Sequence, residues 1–206
     1  KWPAIQHGCY RDNRSASAAV AAMLTVHGTV GTYKTQVDAY VACSTFTRDK
    51  MIEGGYPADR IHYKPNFLAA DPGMGLGQGG YAMYLGRLSP EKGIEVLINA
   101  WDQLPGVPLR VVGKVPLQEP IEALDQRNDD VTHYDWVTCP QLGQLLCDAK
   151  FLVLPTMNYE GFPRVIVEAF AHGVPVVASN IGAMGRVIED GATGRHVNYG
   201  DADDLA

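Results

Sequence analysis

From Met83 onward the chain repeats one short phrase, an apolar run of three or four residues followed by a stretch of helical period. The runs predict strands at Met83–Leu85, Leu109–Val112, Val131–Tyr134, Phe151–Leu154 and Pro175–Ala178. Between them the pattern predicts helices over Glu91–Leu104, Pro120–Gln126, Gln141–Ala149 and Pro163–His172, with a short one near Met184–Glu189. Strands that alternate with helices are parallel, because each helix carries the chain back to the edge where the next strand starts. The strands themselves, in "RVVG", "FLVLP" and "PVVAS", are continuously apolar, as a sheet covered on both faces requires. The class is therefore α/β, with a Rossmann-like parallel sheet and helices on both faces. In such sheets ligands gather at the carboxyl ends of the strands, so the strand-to-helix turns are the segments that matter.

The chain before Met83 reads differently. An Ala-rich helix is predicted over "SASAAVAAMLTVHG", ending near His27-Gly28. A buried strand follows over Tyr40–Ser44, then a helix through Met51 and Ile52 that Gly54-Gly55 stops, then a strand in "RIHYKPNF". "AADPGMGLGQGGYA", Ala69 to Ala82, is Gly-rich without apolar period, so it divides residues 1–68 from 83–206 as a linker or long loop at 69–82. It contains Gly75, Gly77 and Gly80 at the spacing of a dinucleotide fingerprint. That fingerprint needs a strand before it and a helix opening inside it, and here the strand comes after.

Composition excludes several classes. Net charge is -6 and the 17 basic residues are spread along the chain, which gives no cationic face for a nucleic acid. Cys9, Cys43, Cys139 and Cys147 show no zinc-ligand spacing and are expected to be reduced thiols, in keeping with a cytoplasmic protein. No apolar run approaches the ~20 residues of a membrane span. The chain opens without Met and closes on "GDADDLA", where a helix is starting, so it is expected to be a piece of something longer.

Two turns carry candidate chemistry. In "YLGRLSPEKGIEVLINAW", Gly86 permits close approach of a ligand, and Ser89-Pro90 marks a helix start. Arg87 and Lys92 flank the helix N–H groups, as a phosphate would require. Solvated surface cations would look the same. In "NYEGFPRVIVEAFAHGVPVVAS", Pro163 suits the first helical turn and leaves the N–H groups of Gly161 and Phe162 free to face a ligand. Glu160 lies on the loop, and Glu168 lies in an apolar helix where an unpaired carboxylate is costly. Glu168 could pair with Arg164 one turn earlier, or both carboxylates could accept hydroxyls of a sugar and a ribose.

These segments, together with "IGAMGRVIEDGATG", resemble the C-terminal, donor-binding domain of the family 4 glycosyltransferases, which have the GT-B fold. Glu160 and Glu168 match that family's E-x7-E motif. "VDAYVACSTFTRDKMIEGGYPADRIHYKPNF" is similar to the end of the family's N-terminal domain, and "PAIQHGCYR" resembles the strand and loop bearing its acceptor-side histidine, here His7. The resemblance implies a retaining, metal-independent transfer of a sugar from a UDP- or GDP-linked donor to a glycan or lipid-linked acceptor, in cell-envelope or exopolysaccharide assembly. It needs no cofactor. Arg87 and Lys92 would take the charge of the leaving diphosphate. Glu160, with Gly161 and Phe162, would hold the donor sugar, Glu168 the ribose, and Val165 would pack in the nucleotide pocket. The missing N-terminal part would read the acceptor and could make peripheral membrane contact, so the piece alone is expected to be inactive or nearly so. A non-catalytic nucleotide-sugar module, or a GT-B sugar-nucleotide epimerase, is the alternative. The chain departs from the family pattern in "GKVPL" (Gly113–Leu117), at Asp135 and at Arg186, which leaves base and sugar unassigned.

Overall fold

The computed structural model describes residues 2–114 and 118–206. The chain forms two units, one of residues 1–42 and 48–63, the other of residues 43–47 and 64–206. The first holds helices α1 (Trp2–Gln6), α2 (Arg14–Thr29) and α3 (Thr32–Thr35) and a parallel pair of strands, β1 (Tyr40–Ala42) and β2 (Ile61–Tyr63). Helix α4 (Thr45–Glu53) runs across the division in sequence. "PAIQHGCYR" does not form the expected strand. Pro3 stands in the first turn of α1, where its missing N–H is no loss, and its carbonyl accepts the His7 N–H at 2.9 Å. Gly8, at φ 63°, then ends the turn. Helix α2 is where the alanines place it, capped by the Asn13 side chain accepting from Ala16 N at 3.0 Å.

The second unit is the parallel sheet. Its strands are β3 (Ala82–Leu85), β4 (Leu109–Val112), β5 (Val131–Tyr134), β6 (Phe151–Leu154), β7 (Val176–Ser179) and β8 (Gly194–Val197). The helices between them are α5 (Ile94–Trp101), α6 (Gln118–Arg127), α7 (Cys139–Asp148), α8 (Arg164–Ala171) and α9 (Met184–Val187), with α10 (Ala202–Leu205) at the end. All strands pair in parallel, in the order β5-β4-β3-β6-β7-β8. The α/β class, with its parallel sheet, stands as expected. Strand β3 shows why an apolar run suits this position: Ala82 and Tyr84 pack on one face with Ile94, Leu97 and Trp101 of α5, and Met83 on the other with Leu146 of α7 and Ile166 of α8. Each large side chain so buried contributes about 1.5–3 kcal/mol.

Several boundaries move, each for a local reason. The single helix expected over Glu91–Leu104 is a 3-10 turn, Pro90–Lys92, followed by α5, with Gly93 between them at φ 74°. A Cβ at Gly93 would collide with the Pro155 carbonyl, so the kink lets this turn close against the end of β6. Helix α7 starts earlier than its apolar period suggests because Thr138 and Gln141 form a capping box. Helix α8 starts at Arg164, with Pro163 as N-cap rather than first helical residue. Strand β8 was missed because of its four residues only Val197 is apolar and buried. In "GKVPL", residues 115–117 lie outside the described residues.

The Gly-rich stretch is a strap rather than a nucleotide loop. Gly75, Gly77 and Gly79 donate their N–H groups to the carbonyls of His172, Cys147 and Asp148 at 2.8, 3.0 and 2.9 Å. Side chains at Gly75 or Gly79 would strike the backbone at Cys147 or the Tyr81 and Asp148 side chains. No helix opens inside it.

Candidate functional site

In chain order the sheet grows from β3 through β4 to β5, then restarts on the other side of β3 with β6. At such a reversal the turns leaving two adjacent strands diverge and open a crevice. The turns concerned are Gly86–Gly93 after β3 and Pro155–Pro163 after β6, the two that sequence singled out.

A cavity of about 220 Å³ occupies this crevice. Among its lining are Gly86, Arg87, Lys92, Glu160, Pro163 and Val165, six of the predicted positions, with Tyr84, Thr156 and Arg164 beside them. The last three were not foreseen as lining. The sequence offers Arg164 only as a partner for Glu168, and Thr156 carries no signal beyond its place after β6.

The two turns are stitched together by one carbonyl. Glu91 O accepts from Met157 N at 3.0 Å and from Thr156 Oγ1 at 3.0 Å. The close approach at Gly93 and Pro155 adds a third link. On the β4 side, Gly86 N donates to Val112 O at 3.0 Å, and Gly113 is required because a Cβ there would meet Gly86 O. Tyr84 Oη donates to Arg87 O at 2.7 Å and so fixes the turn from below. Burial pushes the Tyr84 phenol well above its ordinary pKa, and the nearby Glu160 and Glu91 carboxylates push the same way, so it stays a neutral donor.

The charges divide into one tight pair and two loose ones. Lys92 Nζ donates to Glu160 Oε1 at 2.6 Å, with both side chains about one fifth exposed, at 24% and 21%. Arg87 contacts Glu91 at 3.2 Å but is 69% exposed, and Arg164 reaches only 4.0 Å from Glu168 at 73% exposed. Pairs this exposed are worth about 0–1 kcal/mol, so both guanidinium groups can turn to another partner at little cost. The cavity lining thus carries Arg87, Lys92 and Arg164 against the single carboxylate of Glu160. Such a lining is suited to an anion.

The amino end of α8 adds donors. Among the described residues, the N–H groups of Gly161, Phe162, Arg164 and Val165 have no protein acceptor. The loop carrying them is held by Asn66 Nδ2, which donates to Phe162 O at 2.8 Å. Four unpaired N–H groups beside two arginines and a lysine form the kind of nest that binds phosphate. Gly161 and Phe162 flank the cavity without lining it, and Glu168 stands one helical turn beyond Arg164. His7 belongs to the other unit, exposed in the turn after α1. Among the described residues no His, Cys, Asp and Glu group could hold a metal ion, all four cysteines are free, and no helix is long and apolar enough to cross a membrane.

A profile described as "Glycosyl transferases group 1" matches residues 79–206. Over 170 residues the chain is 29% identical to the O-antigen chain mannosyltransferase B of Escherichia coli, covering 71% of this chain and 44% of that one. It is 30% identical over 192 residues to a glycogen synthase of Mycobacterium tuberculosis, covering 82% and 44%. In backbone it is similar to the sucrose-phosphate synthase of Thermosynechococcus elongatus, with a TM-score of 0.72, 26% identity, and 82% and 47% of the two chains covered. Anabaena HepE, solved with UDP and glucose, shares the fold at a TM-score of 0.71 and 24% identity, over 82% and 52% of the two chains. The chain spans 33% to 44% of the length of the first curated relatives it matches.

Proposed function

The chain belongs to the group 1 glycosyl transferases, whose profile covers more than half of it, and on that premise we propose that it binds the donor of a retaining, family 4 sugar transfer. The donor is a UDP- or GDP-linked sugar and the acceptor a glycan or lipid-linked sugar of cell-envelope or exopolysaccharide assembly. One observation carries the proposal: Lys92 and Glu160, from turns 68 residues apart, meet in a cationic cavity where the strand order reverses.

In the proposed mechanism the diphosphate lies against Arg87, Lys92 and the N–H groups at the start of α8. Negative charge grows on that diphosphate as the bond to the sugar breaks. Cations and N–H groups aimed there therefore stabilise the transition state more than the ground state. That is the task a divalent cation would otherwise perform, and it makes the transfer metal-independent. Gly86 lets the phosphate approach the backbone, and Pro163 sets the angle at which α8 begins. Glu160, with Gly161 and Phe162, accepts and donates to the sugar hydroxyls. Glu168 takes the ribose hydroxyls, leaving Arg164 for phosphate, and Val165 packs under the nucleoside. His7 serves the acceptor side. The names of the relatives support this reading: one builds O-antigen chains, and HepE was solved with UDP and glucose. A cytoplasmic site, with peripheral contact to a membrane that holds the acceptor, fits such donors.

Calorimetric titration with a panel of nucleoside diphosphates tests the site. We expect one of them to bind, and Lys92→Ala to weaken it about two- to thirtyfold. A charge-assisted hydrogen bond of about 1.5–3 kcal/mol is lost, offset by about 1 kcal/mol no longer spent separating Lys92 from Glu160. Arg87→Ala weakens it less. Unchanged affinity in both variants overturns the phosphate site. Radiolabelled donor offered with an acceptor extract should give little transfer by these 206 residues alone, and full turnover would refute the need for further chain.

A further inference from the structure

Thr156 has no role in the mechanism above, yet it is 2% exposed and its hydroxyl sits where the two ligand-facing turns meet. Its Oγ1 lies 3.0 Å from Glu91 O and 3.3 Å from Glu160 Oε1. Both neighbours are acceptors, and a hydroxyl has one proton to give. Glu160 Oε1 already receives Lys92 Nζ at 2.6 Å, so the Thr156 proton is best placed on the nearer Glu91 carbonyl.

We propose that Thr156 is a positioning residue for Glu160, taking over the carboxylate when Lys92 turns to a diphosphate. Rotation about the Cβ–Oγ1 bond moves the proton from Glu91 O to Glu160 Oε1, with no shift of the backbone. Glu91 O is not orphaned by the exchange, because Met157 N still donates to it at 3.0 Å. Without that hydroxyl, Glu160 would lose its 2.6 Å partner on donor binding and be held by nothing on the Oε1 side. The carboxylate could then swing away from the sugar, and affinity for the sugar moiety would fall. The inference rests on the donor-site reading and adds a specificity device to it.

The test compares two ligands with the same base, the nucleoside diphosphate and the nucleoside diphosphate sugar. Thr156→Val, which keeps the shape and removes the hydroxyl, is expected to weaken the sugar nucleotide about tenfold and the diphosphate clearly less, because without a sugar the released carboxylate takes up water instead. Thr156→Ser restores the hydroxyl and is expected to match the wild type for both. Thr156→Ala repeats the measurement should the valine variant fold poorly. Equal weakening of both ligands in the valine and alanine variants overturns the positioning role and leaves a packing role. Unchanged sugar-nucleotide affinity overturns it as well. A wild-type chain that binds no nucleoside diphosphate overturns the donor-site reading itself, and this proposal with it.

Discussion

Removing the charge of Glu160 should tighten the binding of a nucleoside diphosphate that carries no sugar. In the free chain Lys92 is held by Glu160 at 2.6 Å, and an incoming diphosphate must separate the two before it gains the lysine. The pair is about one fifth exposed, neither fully solvated nor fully dry, and a partly screened ion pair of this kind is worth about 1 kcal/mol. Glu160→Gln keeps the shape and leaves a neutral acceptor for Lys92. Most of that 1 kcal/mol then returns to the ligand as a roughly fivefold lower Kd. The ligand with its sugar should respond the other way, because the amide replaces the carboxylate that accepts its hydroxyls. Calorimetry on wild type, Glu160→Gln, Lys92→Ala and the double variant forms a complete cycle. In the Lys92→Ala background the glutamine substitution should no longer help. Diphosphate affinity that falls, or stays unchanged, in Glu160→Gln would show that Lys92 is not the cation that meets the phosphate.

Two further substitutions probe the frame around the site. Gly93→Ala places a side chain in the left-handed region and into the Pro155 carbonyl; a loss of roughly 3 kcal/mol or more is expected in urea unfolding, and a loss under 1 kcal/mol would mean the two turns do not need their close contact. Burial first, and the Asp148 carboxylate second, push the Tyr81 phenol up to about 12. The folded state therefore resists ionisation there: stability is intact below pH 10, the unfolded value, and falls as pH rises from 10 to about 12. Tyr81→Phe should lose about 1 kcal/mol at neutral pH, with its bond to Leu145 O, and show a shallower alkaline decline in denaturation midpoint. A decline as steep as the wild type's would place the alkaline sensitivity elsewhere.

The sheet could be read from sequence because both its faces are buried, so that β3 and β6 appear as unbroken apolar runs and β4 and β7 as runs with one polar residue each. Strand β8 could not, since an edge strand with Arg195 and His196 in its middle has no such run. The cavity residues were legible one turn at a time. Arg87 and Lys92 stand beside a Pro-marked helix start, and Glu160 stands just ahead of a second one at Pro163. What sequence could not carry is the pairing across 68 residues that puts Lys92 on Glu160, nor the double use of Glu91 O, because main-chain acceptors have no residue type. The kink at Gly93 was equally hidden. A glycine four residues after Ser89 reads as a weak spot in a helix, and only the approach of Pro155 shows why no other residue fits. Near the amino end the error ran the other way: the resemblance suggested a strand around Ile5, and a proline-led helical turn won.

The glycine strap ahead of β3 has a consequence for how this chain meets a protease. By composition it looks readily cleaved, Gly-rich and with no regular structure. Its amides at Gly75, Gly77 and Gly79 are nonetheless tied at every second residue to the ends of α7 and α8. A protease must draw several residues of extended chain into its cleft, and here each such draw breaks main-chain bonds that the sheet's own helices supply. Nicking at the strap therefore reports its release from the carboxyl ends of α7 and α8. Limited digestion becomes a clock for the strap's release from the sheet's helices rather than a map of domain borders.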